Sequence, residues 1–447
     1  MDTTKETKPT TVATATLPPQ GGDIRARWAW VEPLVWTERM LTALETGVKG
    51  NKWFRLWDKV SSERTLQRGF WAVWRNDGSP GVDGQTVTQF EQHETEELTR
   101  LAAELRADTY RPQPARRVYI PKPGSSEKRP LGIPAVRDRT VQATVRFILE
   151  PIFEREFAEH SYGFRPGRGC KDALRRVTQL LSDGYTHVVD ADLRRYFDTI
   201  PHERLMTRLR ERVADGPVLR LIESYLKAGV LDTMHGWQPS ESGTPQGAVL
   251  SPLLSNIYLN PLDHTMAAAG YEMIRYADDF VILCRSRAEA EAALAAVRAW
   301  VEAEGLQLHP AKTRLVDATQ RGGFDFLGYH FERGYHWPRA KSLGKLKNAV
   351  RAKTQRTNGM SLTAIIAAVN GTLRGWFGYF QHSHQTTFAP VDGWVRMRLR
   401  SILRRRQKKK GRGRGRDHNR WPNAYFAGHG LFSMVTAHAQ LVRQPHG

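Results

Sequence analysis

The sequence predicts an α+β fold that gives way, after about residue 340, to an all-helical and strongly basic unit. Three observations predict it. Apolar spacing switches irregularly between the strand period and the helix period, without the even β–α rhythm of a doubly wound sheet. Two strand-like runs, "VVDAD" and "YADDFVILC", carry acids where a strand would carry apolar residues. The stretch from Arg396 to Arg416 holds 12 Lys or Arg and no acid, against a net charge of +21 for all 447 residues.

Taken in order, residues 1–32 read as a polar, disordered tail. Residues 33–75 carry helical spacing, with Trp53, Phe54, Trp57, Phe70, Trp71 and Trp74 as a stripe expected to pack into a core. "NDGSPGVDGQTV" (Asn76–Val87) is dense in turn residues. A helical stretch, "QFEQHETEELTRLAAELRAD", follows. "ARRVYIPKPGSSEKRPLGIP" reads as strand, turn and strand, and Asp138–Phe157 as a helix. "THVVDADLRRYFDTI" is a strand opening into a helix. "GTPQGAVLSPLLSNIYLNPLDHTM" is a Gly/Pro turn followed by a long apolar helix. "GYEMIRYADDFVILC" is a hairpin, "RAEAEAALAAVRAWVEAEG" a helix stopped by Gly305, and "FDFLGYHFERG" a short strand.

With 40% apolar residues the chain has material for two or three domains. The charge favours a polyanionic partner, nucleic acid or an anionic membrane. No run reaches the roughly 18 apolar residues of a membrane span, and the N-terminus has no signal-peptide core. A cytoplasmic protein is expected. Cys170 and Cys284 are the only cysteines, which leaves neither a disulfide framework nor a C-x-x-C zinc site. His382 and His384 read as a polar loop.

The acids suit a metal. Nucleotidyl transfer needs two divalent ions about 3.5–4 Å apart, and Mg²⁺ takes oxygen ligands, a few carboxylates plus phosphates. Asp190 and Asp192 share one strand face, and Asp192 ends that strand. Asp278 and Asp279 sit at a hairpin tip, 86 residues beyond Asp192. Either cluster alone reads more readily as a cap or a turn than as a metal site.

The two clusters, with further motifs in order, resemble the reverse transcriptases encoded by group II introns, the intron maturases, over about residues 60–435. "YADDFVILC" resembles the catalytic hairpin of that family and "ADLRRYFD" (Ala191–Asp198) its first metal motif, usually A-D-I-K-G-F-F-D. "GTPQGAVLSPLLSNIYL" resembles its template–nucleotide motif. "GSPGVDG", "RPLGIP" and "HSYGFRPGRG" resemble finger motifs, and "LGYHF" the final palm strand. The resemblance implies right-hand, polymerase-like fingers and palm over residues 33–340, an antiparallel palm sheet with helices. A helical thumb or maturase domain would follow over 341–403, and a basic nucleic-acid-binding segment over 404–447.

It also implies site residues. Asp192 and Asp278 would be the catalytic metal ligands for two Mg²⁺ ions, with Asp279 the weaker third and Asp190 an auxiliary acid. Lys122, Arg129, Phe197, Gln246 and Lys312 would bind the nucleotide. Phe197 would exclude a 2′-hydroxyl, and Lys312 would donate a proton to pyrophosphate. The sequence departs from the family at Arg195, usually Gly, and Tyr196, usually Phe. The implied activity is RNA-directed DNA synthesis, with help to intron splicing and mobility. The partners would be intron RNA, a DNA primer or target, and dNTP. The alternatives are a non-catalytic maturase and a reverse transcriptase domesticated for antiphage defence.

In the terminal third, Trp376, Phe377, Tyr379 and Phe380 read as core aromatics. Arg404, Arg405, Arg406, Lys408, Lys409, Lys410 and Arg412 read as phosphate contacts, with RNA recognised through shape and loops. The last 30 or so residues hold no cysteine, so no endonuclease with paired cysteines is expected there.

Overall fold

The computed structural model describes residues 23–121, 128–232, 234–413 and 415–443. Eleven strands are present among them: β1 (Ala115–Pro121), β2 (Lys128–Ile133), β3 (His187–Asp192), β4 (Val230–Asp232), β5 (Gly236–Gln238), β6 (Glu272–Tyr276), β7 (Asp279–Cys284), β8 (Arg314–Asp317), β9 (Phe324–Phe326), β10 (Tyr329–Glu332) and β11 (Tyr335–Pro338). They form three sheets, ordered β2-β1-β4-β5, β6-β7-β3-β8 and β11-β10-β9. The chain divides into two units. One comprises residues up to 176 with 191–282 and 288–314, the other residues 177–190, 283–287 and 315 onward.

Residues 23–32 of the expected tail are folded into the first unit, and its residues 1–22 lie outside the described residues. Ile24–Arg27 is a short helix, Trp28 and Val31 are buried, and Arg27 and the Trp28 indole both donate to Glu45. Burying an aromatic with its N–H satisfied is reason enough for a polar segment to fold. Residues 33–75 form several short helices instead of one, because Gly47, Gly50, Asn51 and Arg55 have left-handed backbones. Half of the expected core stripe is outside. Phe70 is buried, whereas Phe54, Trp71 and Trp74 are exposed, and the Arg68 guanidinium lies 4.9 Å from the Trp71 ring.

β1 and β2 form the hairpin read from the Pro/Gly/Ser turn, in register from Arg116–Ile133 to Pro121–Lys128. β4 adds to β1 in parallel and β5 closes the edge. The helix Val136–Glu154 runs through the core, with Val141, Val145, Ile148 and Leu149 buried. The helix Ser251–Ala268 follows the Gly/Pro turn, as its apolar run predicts.

"LGYHF" departs from expectation. Tyr329–Phe331 belong to β10 of the three-stranded sheet, and the fourth strand of the β6-β7-β3 sheet is β8. A left-handed turn at Leu327 and Gly328 splits "FDFLGYHF" into two strands.

The second unit buries one continuous helical core. It joins Leu346 and Val350, Ile365 to Phe377, Val391 to Leu403, and then Trp421, Phe426 and Met434. The boundary drawn at 404 therefore cuts through a packed unit. Phe377 and Phe380 are buried and Trp376 packs against the core. Asp392 caps the final helix, accepting from Ser433 Oγ at 2.8 Å and from the Met434 and Val435 amides. No helix among the described residues is long and apolar enough to cross a membrane.

Candidate active site

β6 and β7 are joined by a two-residue turn, Ala277 and Asp278, and Asp279 opens β7. Ala277 stands at φ 61°, a conformation alanine adopts at a cost. The turn is held by Arg275, which is completely buried. Its guanidinium donates to both carboxylate oxygens of Asp263, to Asn256 Oδ1 (3.0 Å), to Ser161 Oγ (2.7 Å) and to the Ala277 carbonyl (2.9 Å). All five guanidinium N–H groups are thereby used. One of them fixes the residue immediately before Asp278. Sequence reasoning passed over Arg275, yet a charged residue inside the apolar run "EMIRYA" is itself a signal, because buried charges are kept only when paired.

Asp192 ends β3 and is half-buried. The segment Gln307–Thr313 lies along it: Arg194 N donates to Gln307 O at 2.8 Å and His309 N to Asp192 O at 2.7 Å. This brings Lys312 over the strand end, where its ammonium donates to Asp192 Oδ2. Burial raises the Asp278 carboxyl above its ordinary pKa, and the charge of Asp192 raises it further, against the opposing pull of Arg129 and Lys312. Two acids 86 residues apart in sequence are thus near enough to repel. Asp279, next in the chain after Asp278, is half-buried. Among the described residues no three His, Cys, Asp or Glu side chains gather into one group.

The two departures from the family pattern have local explanations. Arg195 has φ 50° and ψ 39°, a left-handed position where glycine is at ease. Its side chain is exposed and pairs with Asp198 at 3.3 Å. Tyr196 is buried, and its extra hydroxyl donates to the Ser255 carbonyl at 2.7 Å. Phe197 is half-buried, so its ring is not a core residue.

The loop Gly243–Gly247 runs beside this turn, with Thr244 N donating to Phe197 O at 2.7 Å and Gln246 Nε2 3.5 Å from Asp198 Oδ1. The same loop meets β2, where Gly132 N donates to Gln246 O at 2.7 Å. Gly247, at φ 108°, has no room for a side chain, since a Cβ would come 2.7 Å from Gly132 O. Phe197, Gln246 and the strand bearing Arg129 are therefore linked. Arg129 itself is exposed. Lys122 lies outside the described residues.

In the second unit, Arg405, Arg406, Lys408, Lys409, Lys410 and Arg412 are exposed. Arg404 is different: it pairs with buried Asp417 at 2.7 Å and donates to Lys410 O. Arg404 thus has an ion-pair partner within the fold, which its exposed basic neighbours lack among the described residues. Sequence reading missed Arg351, Arg356 and Arg398. Burial lowers the pKa of Arg398, and the charges of Arg351, Arg356 and Arg412 lower it further. Arg398 is tethered through Thr354, to Oγ1 at 3.0 Å and to the carbonyl at 2.7 Å. Asp392 is the only acid between residues 340 and 416.

The hairpin acid Asp278 and the strand-end acid Asp192 thus lie within electrostatic reach of each other, and Arg129 and Lys312 act on the same carboxyl. Residues 120–331 match the family "Reverse transcriptase (RNA-dependent DNA polymerase)", and residues 343–421 match "Group II intron, maturase-specific domain". The chain is 35% identical over 329 residues to protein YkfC of Escherichia coli, an alignment covering 64% of this chain and 84% of that protein. It is 43% identical over 185 residues to the group II intron-encoded protein LtrA of Lactococcus lactis, covering 41% of this chain and 30% of LtrA. A 91 kDa protein in the cob intron of Schizosaccharomyces pombe is 39% identical over 166 residues, covering 37% of this chain and 20% of that protein. The chain belongs to the family of group II intron-encoded reverse transcriptases and maturases.

Proposed function

We propose that this chain is an RNA-directed DNA polymerase that copies intron RNA into DNA from a DNA primer and assists splicing of its intron. The observation that carries the reading is the meeting of Asp192 with Asp278. Two carboxylates that repel, Asp278 raised by burial and Asp192 paired with Lys312, are a hard-oxygen donor set that fits Mg²⁺. Asp192 and Asp278 would hold it, with Asp279 the third carboxylate at hand. Magnesium, when bound, lowers the pKa of a hydroxyl and offsets phosphate charge.

The reaction joins the primer 3′-oxygen to the α-phosphorus of a dNTP as the α–β bridging bond breaks and pyrophosphate leaves. Arg129 and Lys122 would balance the triphosphate charge. Phe197, with its ring half-exposed, would stand against the sugar, and Gln246 would pack on the base. Lys312 would supply the proton taken up by pyrophosphate. The exposed cations of 405–412, with Arg351, Arg356 and Arg398, would contact RNA phosphates.

Purified protein should extend a DNA primer on an RNA template with dNTPs and Mg²⁺. Asp278→Ala should end extension and leave RNA affinity within about twofold. Normal extension by Asp278→Ala would overturn the assignment.

A further inference from the structure

Against the turn that carries Asp278 lies the segment Ser161–Arg165, Ser-Tyr-Gly-Phe-Arg. Four of its five residues are tied in place. Ser161 accepts from Arg275 through its hydroxyl, and Tyr162 N donates to the Arg275 carbonyl at 2.8 Å. The Gly163 carbonyl accepts from Asn256 Nδ2 at 2.8 Å. A Cβ on Gly163 would come 2.2 Å from the Ala277 amide nitrogen, so the two backbones are in direct contact. Arg165 is buried and donates to Glu154 and to the Ala158 and Ser161 carbonyls.

Phe164 is the exception. It is 46% exposed and stands at φ 59°. Its ring centroid is 6.5 Å from that of Tyr276, tilted by 45°. A bulky side chain in the left-handed region is a true outlier. Such strain persists where the surroundings over-determine it, and it concentrates at functional sites. Here it serves no burial. It leaves an aromatic ring standing beside the hairpin, next to the residue two before Asp278.

We propose that Phe164 is a primer contact: its ring, beside that of Tyr276, packs against the deoxyribose of the nucleotide at the primer's recessed 3′ end. The inference rests on the polymerase reading above. That reading provides the incoming nucleotide with its own ring, Phe197, and its own cation, Arg129. The nucleotide without a partner is the primer's terminal one, whose 3′-oxygen approaches the same carboxylates. Because Arg275 grips both Ser161 and the Ala277 carbonyl, ring and turn are held by one side chain. A primer end seated on the ring is seated relative to Asp278.

The positive φ supplies the test. Glycine is at ease at φ 59°, so Phe164→Gly removes the ring and relieves the backbone together. In the full-length protein, equilibrium anisotropy without Mg²⁺ or dNTP should show a recessed DNA primer on RNA template bound about tenfold more weakly by Phe164→Gly, the scale of removing one aromatic partner from a nucleotide. A duplex of the same length without a recessed 3′ end should bind as in wild type. The melting temperature should be unchanged or higher, and the dNTP KM should stay within about twofold. Phe164→Leu keeps the strain and removes only the aromatic face, and should weaken binding without raising the melting temperature. A lower melting temperature with unchanged duplex affinity would make Phe164 structural and overturn the proposal. So would a raised dNTP KM with unchanged duplex affinity. The binding arm needs no catalysis, so recessed-end binding that depends on Phe164 without any extension would refute the polymerase reading while upholding the contact.

Discussion

Arg275→Met tests the grip on the turn that carries Asp278. Methionine roughly preserves the volume of the arginine stem and removes every guanidinium donor. Asp263, only 6% exposed, then keeps a buried charge without its partner. Breaking a buried ion pair on one side costs about 3–5 kcal/mol. The bonds to Asn256, Ser161 and the Ala277 carbonyl disappear as well, but they belong to the same network and do not add independently. A destabilisation of about 3–5 kcal/mol in denaturant unfolding is therefore expected, with extension falling as the turn at Ala277 relaxes. The double variant Arg275→Met/Asp263→Leu separates the two effects. Removing both charges should recover much of the stability, whereas the Ala277 carbonyl stays unheld and extension stays low. A loss under about 1 kcal/mol in the single variant would refute the ion-pair argument. Recovery of extension together with stability in the double variant would refute the positioning role.

Other outcomes follow from named side chains. Asp138 is buried and accepts from the Tyr110 hydroxyl, and burial raises its pKa from 3.8 to about 6. With a raised folded pKa, its contribution is fully favourable below pH 3.8 and is lost as pH rises through 6, by about 3 kcal/mol in all. Unfolding free energies measured between about pH 4 and 7 should therefore show this slope in wild type and lack it in Asp138→Asn. Replacing Arg405, Arg406, Lys408, Lys409, Lys410 and Arg412 with Gln should weaken RNA binding and reduce its salt slope, by about 0.7–0.9 for each phosphate no longer neutralised. Arg404→Gln should instead lower stability by about 1–3 kcal/mol, through loss of the charged hydrogen bond from Arg404 to buried Asp417, and leave that slope nearly unchanged.

Much of this site was legible because its chemistry is local. "YADD" between apolar runs gives a two-residue turn with Asp278 in it, and "VVDAD" gives a strand ending in Asp192. The long helix after "GTPQG" follows from its apolar run alone. What was not legible depends on distant chain. That Asp192 meets Asp278, or that Lys312 reaches Asp192, is set by strand order and by pairing of Gln307–His309 with Asp192–Arg194. Arg404 looks like its basic neighbours until Asp417 folds back onto it. The helix stripe at 53–74 misled because aromatic spacing reports a face, not whether that face is covered, and Trp71 and Trp74 are open. Left-handed backbones at Arg195 and Phe164 carry no composition signal, since neither residue type favours them.

The central claim is that Asp192 and Asp278 act together on the reacting phosphate. Its most direct test is single-turnover incorporation of one dNTP on a DNA-primed RNA template in Mg²⁺, comparing wild type with Asp192→Asn and Asp278→Asn. Asparagine keeps the shape and removes the charge. Each variant should lose at least about 10²–10³ in rate, the scale of removing one group that stabilises transition-state charge, with primer–template affinity within about twofold of wild type. Incorporation at the wild-type rate by either variant would contradict the account.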